Sequence, residues 1–144
     1  MSTALQAHFA DYGAYHRTPG NRACHMLGIP LIVLTLFSLL ARVPLFGAGT
    51  YTVTLAELLL IASVVFYLSL DTVLALLMAL VSFVLLLIGR QLSWPVALGL
   101  FVLGWILQYI GHYVYEKKSP AFYRNFTHLL VGPLWILAKV AGRA

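Results

Sequence analysis

The chain has 144 residues, 62% of them hydrophobic and only 9% charged, with a mean hydropathy of +0.94. Too little polar surface remains to enclose a soluble core, so the bilayer is expected to be the solvent of this protein. A net charge of +5 and a pI near 9.6 do not point to nucleic acid, because the basic residues flank apolar runs and form no stripe with interleaved aromatics. One cysteine, Cys24, excludes an internal disulfide and a Cys-rich zinc site and leaves the redox compartment open.

In chain order, the stretch from Thr3 to Tyr15 has helical character until Thr18, Pro19 and Gly20 break it, and its aromatics suit the headgroup layer. It is predicted to lie on the membrane surface. His8, Asp11, His16, Arg17, Asn21 and Arg22 precede the first apolar run, and no small-residue cleavage site follows it, so a removed signal peptide is not expected. Four apolar segments then follow, Leu27 to Ala41, Leu55 to Leu70, Thr72 to Gly89 and Trp94 to Tyr115, each near or somewhat below the ~20 residues that cross a hydrocarbon core.

The breaks are Arg42, Pro44, Gly47 and Gly49 after the first segment, Asp71 after the second, and Arg90 to Pro95 after the third. An unbroken helix from Leu55 to Gly89 would exceed the bilayer and leave Asp71 in lipid, so a tight hairpin is predicted at Asp71. Leu129 to Val140 is short and interrupted by Gly132 and Pro133, which favours an interfacial or re-entrant helix over a fifth span. The expected fold is an all-α integral membrane protein of four transmembrane helices with N-terminal and C-terminal interfacial helices. It reads as a single membrane domain, 1–144, with a His-bearing N-terminal segment 1–26, a four-span core 27–115 and a C-terminal segment 116–144.

Arg17, Arg22, Lys117, Lys118 and Arg124 lie towards one face, against Arg42 and Arg90 on the other, so the positive-inside bias places both ends of the core in the cytoplasm. An even number of crossings returns the chain to its starting side, so His25 and His112 can meet at one interface. All five histidines, His8, His16, His25, His112 and His128, fall outside or at the ends of the apolar runs, on that same side.

Residues four apart share a helix face, and Trp105, Gln108, His112 and Glu116 form a polar stripe at the end of the fourth span. His8, Tyr12 and His16 repeat the step, as do Asn21 and His25. The Thr18-Pro19-Gly20 turn is expected to fold two short helices together and aim His16 and His25 at one point, with His8 left as a surface residue. An imidazole-rich site with few carboxylates suits zinc, copper or iron(II), of which iron needs open positions for oxygen and substrate. Asn21, Gln108 and Glu116 are candidates to accept the second ring N–H of a ligating histidine, and Glu116 is also a candidate ligand or a salt-bridge partner of nearby basic residues. Gly28, Gly99, Gly104 and Gly111 are read as helix-packing positions. No HExxH, GxSxG, phosphate loop or DNA-reading element is present.

Two passages carry a family resemblance. The first runs from Tyr15 to Pro30, YHRTPGNRACHMLGIP, and is similar to a Tyr-x-x-His, Asn-x-x-x-His and Gly-Ile-Pro pattern. The second is WILQYIGH from Trp105 to His112, then EKKSPA from Glu116 to Ala121, continuing through Asn125 to Gly132 and Pro133. Together they resemble the iron-dependent 2-hydroxy fatty acid dioxygenases of fatty acid alpha-oxidation.

The resemblance implies a membrane-embedded helical fold and bound Fe2+ on His16, His25 and His112; His128 and Glu116 are candidates for a fourth ligand, and Tyr12, Asn21 and Gln108 are read as catalytic or supporting residues. The implied reaction takes a 2-hydroxy fatty acid and O2 to the acid one carbon shorter, at a multi-pass membrane site on the cytoplasmic side. Arg17, Arg22 and Arg124 are candidates to attract the substrate carboxylate. The competing readings are another metal-dependent lipid enzyme (hydroxylase, desaturase or zinc hydrolase), and a small transporter or scaffold in which Gln108, His112 and Glu116 line a polar path.

Overall fold

The computed structural model describes residues 1–48 and 50–144, so Gly49, one of the predicted breaks, lies outside the described residues. Among them six α-helices carry the chain: α1 (Thr3–Ala14), α2 (Pro19–Leu40), α3 (Leu55–Leu68), α4 (Thr72–Gly89), α5 (Trp94–Tyr109) and α6 (His128–Val140). A short antiparallel hairpin, β1 (Pro44–Ala48) and β2 (Tyr51–Thr54), joins α2 to α3. The all-α expectation therefore meets one local exception, where the predicted break pairs its own backbone groups.

α2 starts at Pro19, ahead of the apolar run. Thr18 is its N-cap, with the hydroxyl accepting from the Asn21 N–H at 3.3 Å, and Pro19 takes the first helical position, where no intrahelical donor is required. Thr18, Pro19 and Gly20 thus open one long helix instead of hinging two short ones, which corrects the sequence expectation. Asp71 behaves as predicted: it separates α3 from α4 and caps α4, accepting from the Leu74 N–H at 3.0 Å. α6 runs through Gly132 and Pro133 without a break, with the Tyr67 hydroxyl donating to the Leu130 carbonyl one turn earlier at 2.8 Å.

Among the described residues, three helices are long and apolar enough to cross a membrane: α2, α4, and α5 with its π-helical extension to Glu116. The predicted second span, α3, has only 14 residues, or about 21 Å of helix against a hydrocarbon core of about 30 Å. It starts where predicted, at Leu55 behind a capping box of Thr54 and Glu57, and ends two residues early, with Ser69 as its C-cap. α6, with 13 residues, also falls short of a span.

α2 and α5 pack antiparallel at very close range: a Cβ on Gly104 would sit 2.7 Å from Ile32 Cγ1 and 3.0 Å from the Gly28 carbonyl oxygen. Gly99, by contrast, has nothing within 4 Å of a notional Cβ and is not a packing position. Two apolar clusters mark the ends of the bundle. Leu5, Phe9 and Tyr12 of α1 pack with Tyr67, Leu74 and Trp135 at one end, and Phe37, Ala56 and Leu86 pack at the other. The apolar side of α1 is therefore spent on protein. Leu58, Ile61, Leu76, Leu80, Val102 and Ile106 are among the large apolar side chains left exposed, as a lipid-solvated exterior requires.

Candidate metal centre

α2 and α5 run in opposite directions, so the start of one meets the end of the other, and α1 and α6 pack over that junction. His16 stands in the linker before α2, His25 two turns into α2, and His112 in a π-helical turn, Ile110–Glu116, that continues α5. All three are buried, and one ring nitrogen of each lies within 4.8 Å of the others. Ring centroids are 4.3 Å apart for His16 and His25, 5.0 Å for His16 and His112, and 4.8 Å for His25 and His112.

Two of the rings are oriented by main-chain carbonyls four residues earlier. His16 Nδ1 is 2.6 Å from the Tyr12 oxygen and His25 Nδ1 2.9 Å from the Asn21 oxygen, so each donates from Nδ1 and leaves Nε2 as a lone-pair site. The sequence reading assigned this role to the side chains of Asn21, Gln108 and Glu116. The backbone takes it because the carbonyl four residues earlier lies within reach of each ring, and the Tyr12 carbonyl at the end of α1 has a second lone pair to offer beside the one that takes the Tyr15 N–H at 3.2 Å. His16 Nε2 and His112 Nδ1 are buried without a hydrogen-bond partner among the described residues. Burial pushes the His16 pKa down to about 4, so the imidazole is neutral and free to bind a cation at physiological pH.

Glu116 sits elsewhere than a ligand position. Its carboxylate accepts from the backbone N–H groups of Arg17 (3.0 Å) and Thr18 (3.0 Å), the Thr18 hydroxyl (2.9 Å) and the Asn21 amide (3.2 Å). It is an anion at the N-terminus of α2, where the helix dipole favours negative charge. The π-helical turn that carries it ends at Lys117, whose φ of 55° is left-handed, with the Lys118 N–H bonding back to the His112 carbonyl at 3.1 Å. Nothing in the four-residue spacing of the sequence announced that widened turn.

His128, the other candidate for fourth ligand, is buried outside the trio, with Nε2 2.7 Å from the Asp11 carboxylate and Nδ1 unpartnered. Tyr12 separates it from the trio, stacked on His16 at 4.0 Å and tilted on His128 at 5.5 Å. Asp11 had no assigned role in the sequence reading. His8 lies apart, with its ring edge against Phe66. Arg17, Arg22 and Arg124 are all exposed: Arg22 donates to the His16 carbonyl at 2.8 Å, and Arg17 and Arg124 line an outer basin with Asp11 and Lys118.

The histidines form the polar end of a cavity of about 220 Å3. Tyr12, Gln108 and His128 also line it, and Ile29, Ile32, Val33, Leu36, Phe101 and Trp105 supply apolar walls. Three buried imidazoles, two of them with a ring nitrogen that finds no partner among the described residues, fit a divalent transition metal, and the apolar cavity beside them fits a hydrocarbon chain.

Comparison with known proteins agrees with that chemistry. The family model described as 2-hydroxy-palmitic acid dioxygenase Mpo1-like matches residues 2–144. A protein of Saccharomyces cerevisiae, 2-hydroxy-palmitic acid dioxygenase MPO1, is 31% identical over 134 residues, covering 92% of this chain and 77% of its own length. No solved structure matches the chain.

Proposed function

The chain belongs to the Mpo1-like family, and we propose that it is an Fe2+-dependent dioxygenase converting 2-hydroxy fatty acids and O2 to fatty acids one carbon shorter. The observation that carries this reading is the buried trio His16, His25 and His112 at the polar end of an apolar cavity.

His16 and His25 would hold the iron through the Nε2 atoms that the backbone carbonyls leave free, and His112 through its ring. When bound, Fe2+ supplies the redox chemistry towards O2 and open positions for oxygen and substrate. The protein does the rest by placement. Ile29, Ile32, Val33 and Leu36 run along α2 away from His25, about 16 Å from His25 to Leu36 at 1.5 Å per residue, and offer the acyl tail an apolar track. The same walls keep water from the reacting end, and the confined head is held close to the metal, which lowers the entropic cost of reaction.

Residues 1–144 act as one membrane domain with four crossings. α3 is the short crossing: α2 and α4 run the same way, with Gly89 at the end of α4 packed on Ser38 near the end of α2, so the chain must return between them. The excess of basic residues at the histidine end supports a site on the cytoplasmic side.

The test is anaerobic Fe2+ loading of purified protein, followed by O2 and a 2-hydroxy fatty acid, with mass spectrometry of the product. About one iron per chain and an acid one carbon shorter are expected, with iron lost in His25→Ala and His112→Ala. Iron-loaded protein that makes no shortened acid would overturn the reaction, and zinc with no O2 consumption would point to a hydrolase.

A further inference from the structure

Three polar atoms on the cavity wall have no partner among the described residues: the Tyr12 hydroxyl, the Gln108 amide nitrogen and His128 Nδ1. Their residues are 2%, 5% and 6% exposed, so solvent does not satisfy them. A single orphan of this kind is ordinary, but native proteins leave few, and here three from three helices converge on the cavity that holds the histidine trio. The backbone makes room for two of them. A Cβ on Gly132 would stand 3.0 Å from the Tyr12 hydroxyl, and one on Gly28 would stand 2.4 Å from the Gln108 amide nitrogen.

We propose that Tyr12, Gln108 and His128 form the head-group subsite of the substrate, with Tyr12 and Gln108 donating to the carboxylate and His128 accepting from the 2-hydroxyl. This rests on the reading of the substrate as a 2-hydroxy acid. The Asp11 carboxylate, 2.7 Å from His128 Nε2, holds the tautomer with the proton on Nε2 and leaves Nδ1 as an acceptor. An acid without the 2-hydroxyl has no donor to offer and leaves Nδ1 unpaired, so discrimination follows from the wall of the cavity and not from the metal alone. The exposed arginines do not line the cavity, so neutral donors carry out the carboxylate recognition inside it. Asp11 itself is half exposed and acts through His128 as a positioning residue.

The experiment uses metal-free protein in detergent, with competition against a fluorescent fatty acid by 2-hydroxyhexadecanoic acid and hexadecanoic acid. The visible spectrum of added Co2+ reports that each variant keeps its histidine trio. The wild type should prefer the hydroxylated acid by about tenfold, the scale of one hydrogen bond to a buried group. His128→Leu should bring the two acids to parity without weakening the plain acid. Asp11→Ala, at an exposed position that the fold tolerates, should reduce the preference in the same direction. Tyr12→Phe should weaken both acids alike and keep their ratio.

A ratio that survives both His128→Leu and Asp11→Ala overturns the subsite, even if iron-loaded protein turns over. A wild type that discriminates the acids but forms no shortened product with iron overturns the dioxygenase reading and leaves the subsite standing. Failure of the wild type to bind either acid overturns both.

Discussion

The Glu116 carboxylate accepts from both the backbone N–H and the hydroxyl of Thr18, at 3.0 and 2.9 Å. That contact fastens the end of α5 to the start of α2 and thereby fixes two of the three clustered histidines relative to each other. His16 lies two residues before Thr18 and His112 four before Glu116. Glu116→Ala should therefore cost about 2 kcal/mol of stability, since several charge-assisted bonds are lost and the donors around them are left unpaired. It should also weaken metal binding, although Glu116 touches no metal. Thermal unfolding in detergent and metal titration measure the two effects, and Glu116→Gln should be milder in both.

Metal-free protein should lose stability as the pH falls from about 6.5 to 4. Burial holds the folded-state pKa of His16 at about 4, against 6.5 for an unperturbed imidazole. Across that window the unfolded chain takes up a proton that the native site refuses, so acid favours unfolding. The shift corresponds to about 3 kcal/mol, fully present above 6.5 and gone below 4. A denaturant series against pH should show the slope in the wild type and a shallower one in His16→Gln.

Gly111→Ala tests the approach of α5 to α2. A Cβ there would lie 2.4 Å from Asn21 Oδ1 and 3.2 Å from His25 Nδ1. Alanine is otherwise the better helix former, so any destabilisation reports the contact. A loss of about 1–3 kcal/mol is expected from overpacking, together with reduced metal occupancy by elemental analysis. An unchanged melting temperature would mean that the helices are free to part.

The opposite end of the bundle is pinned separately. Arg90 pairs with Glu57, donates to the Thr52 carbonyl and lies over the Tyr51 ring at 5.0 Å. Arg90→Gln should lower stability by about 1–2 kcal/mol through the unpaired Glu57 while leaving metal stoichiometry at the wild-type value. Loss of metal in this variant would contradict the independence of the two ends.

The proposed four crossings would put the hairpin and the histidine end on opposite sides of the membrane. Phe46 is 69% exposed at the hairpin and Lys118 is exposed beside the site. In a Cys24→Ala background, Phe46→Cys and Lys118→Cys should react with an impermeant maleimide from opposite sides of sealed vesicles. Labelling of both from one side would reduce the crossings to an odd number.

Composition and hydropathy by themselves pointed to a membrane protein, located its apolar helices and put the break between α3 and α4 at Asp71. These features are local or additive, since each depends on transfer of nearby residues from water. Only the tertiary structure decided which histidines share a point and which groups serve them. The widened π-helical turn at Ile110–Glu116, the carbonyls of Tyr12 and Asn21 as ring acceptors, Glu116 as a clamp and the Asp11–His128 pair all depend on how α1, α2, α5 and α6 cross. Four-residue periodicity assumes regular α-helix and side-chain partners on one face, whereas the site is built where the end of α5 departs from that geometry and the glycine-lined backbones of α2 and α5 come into contact.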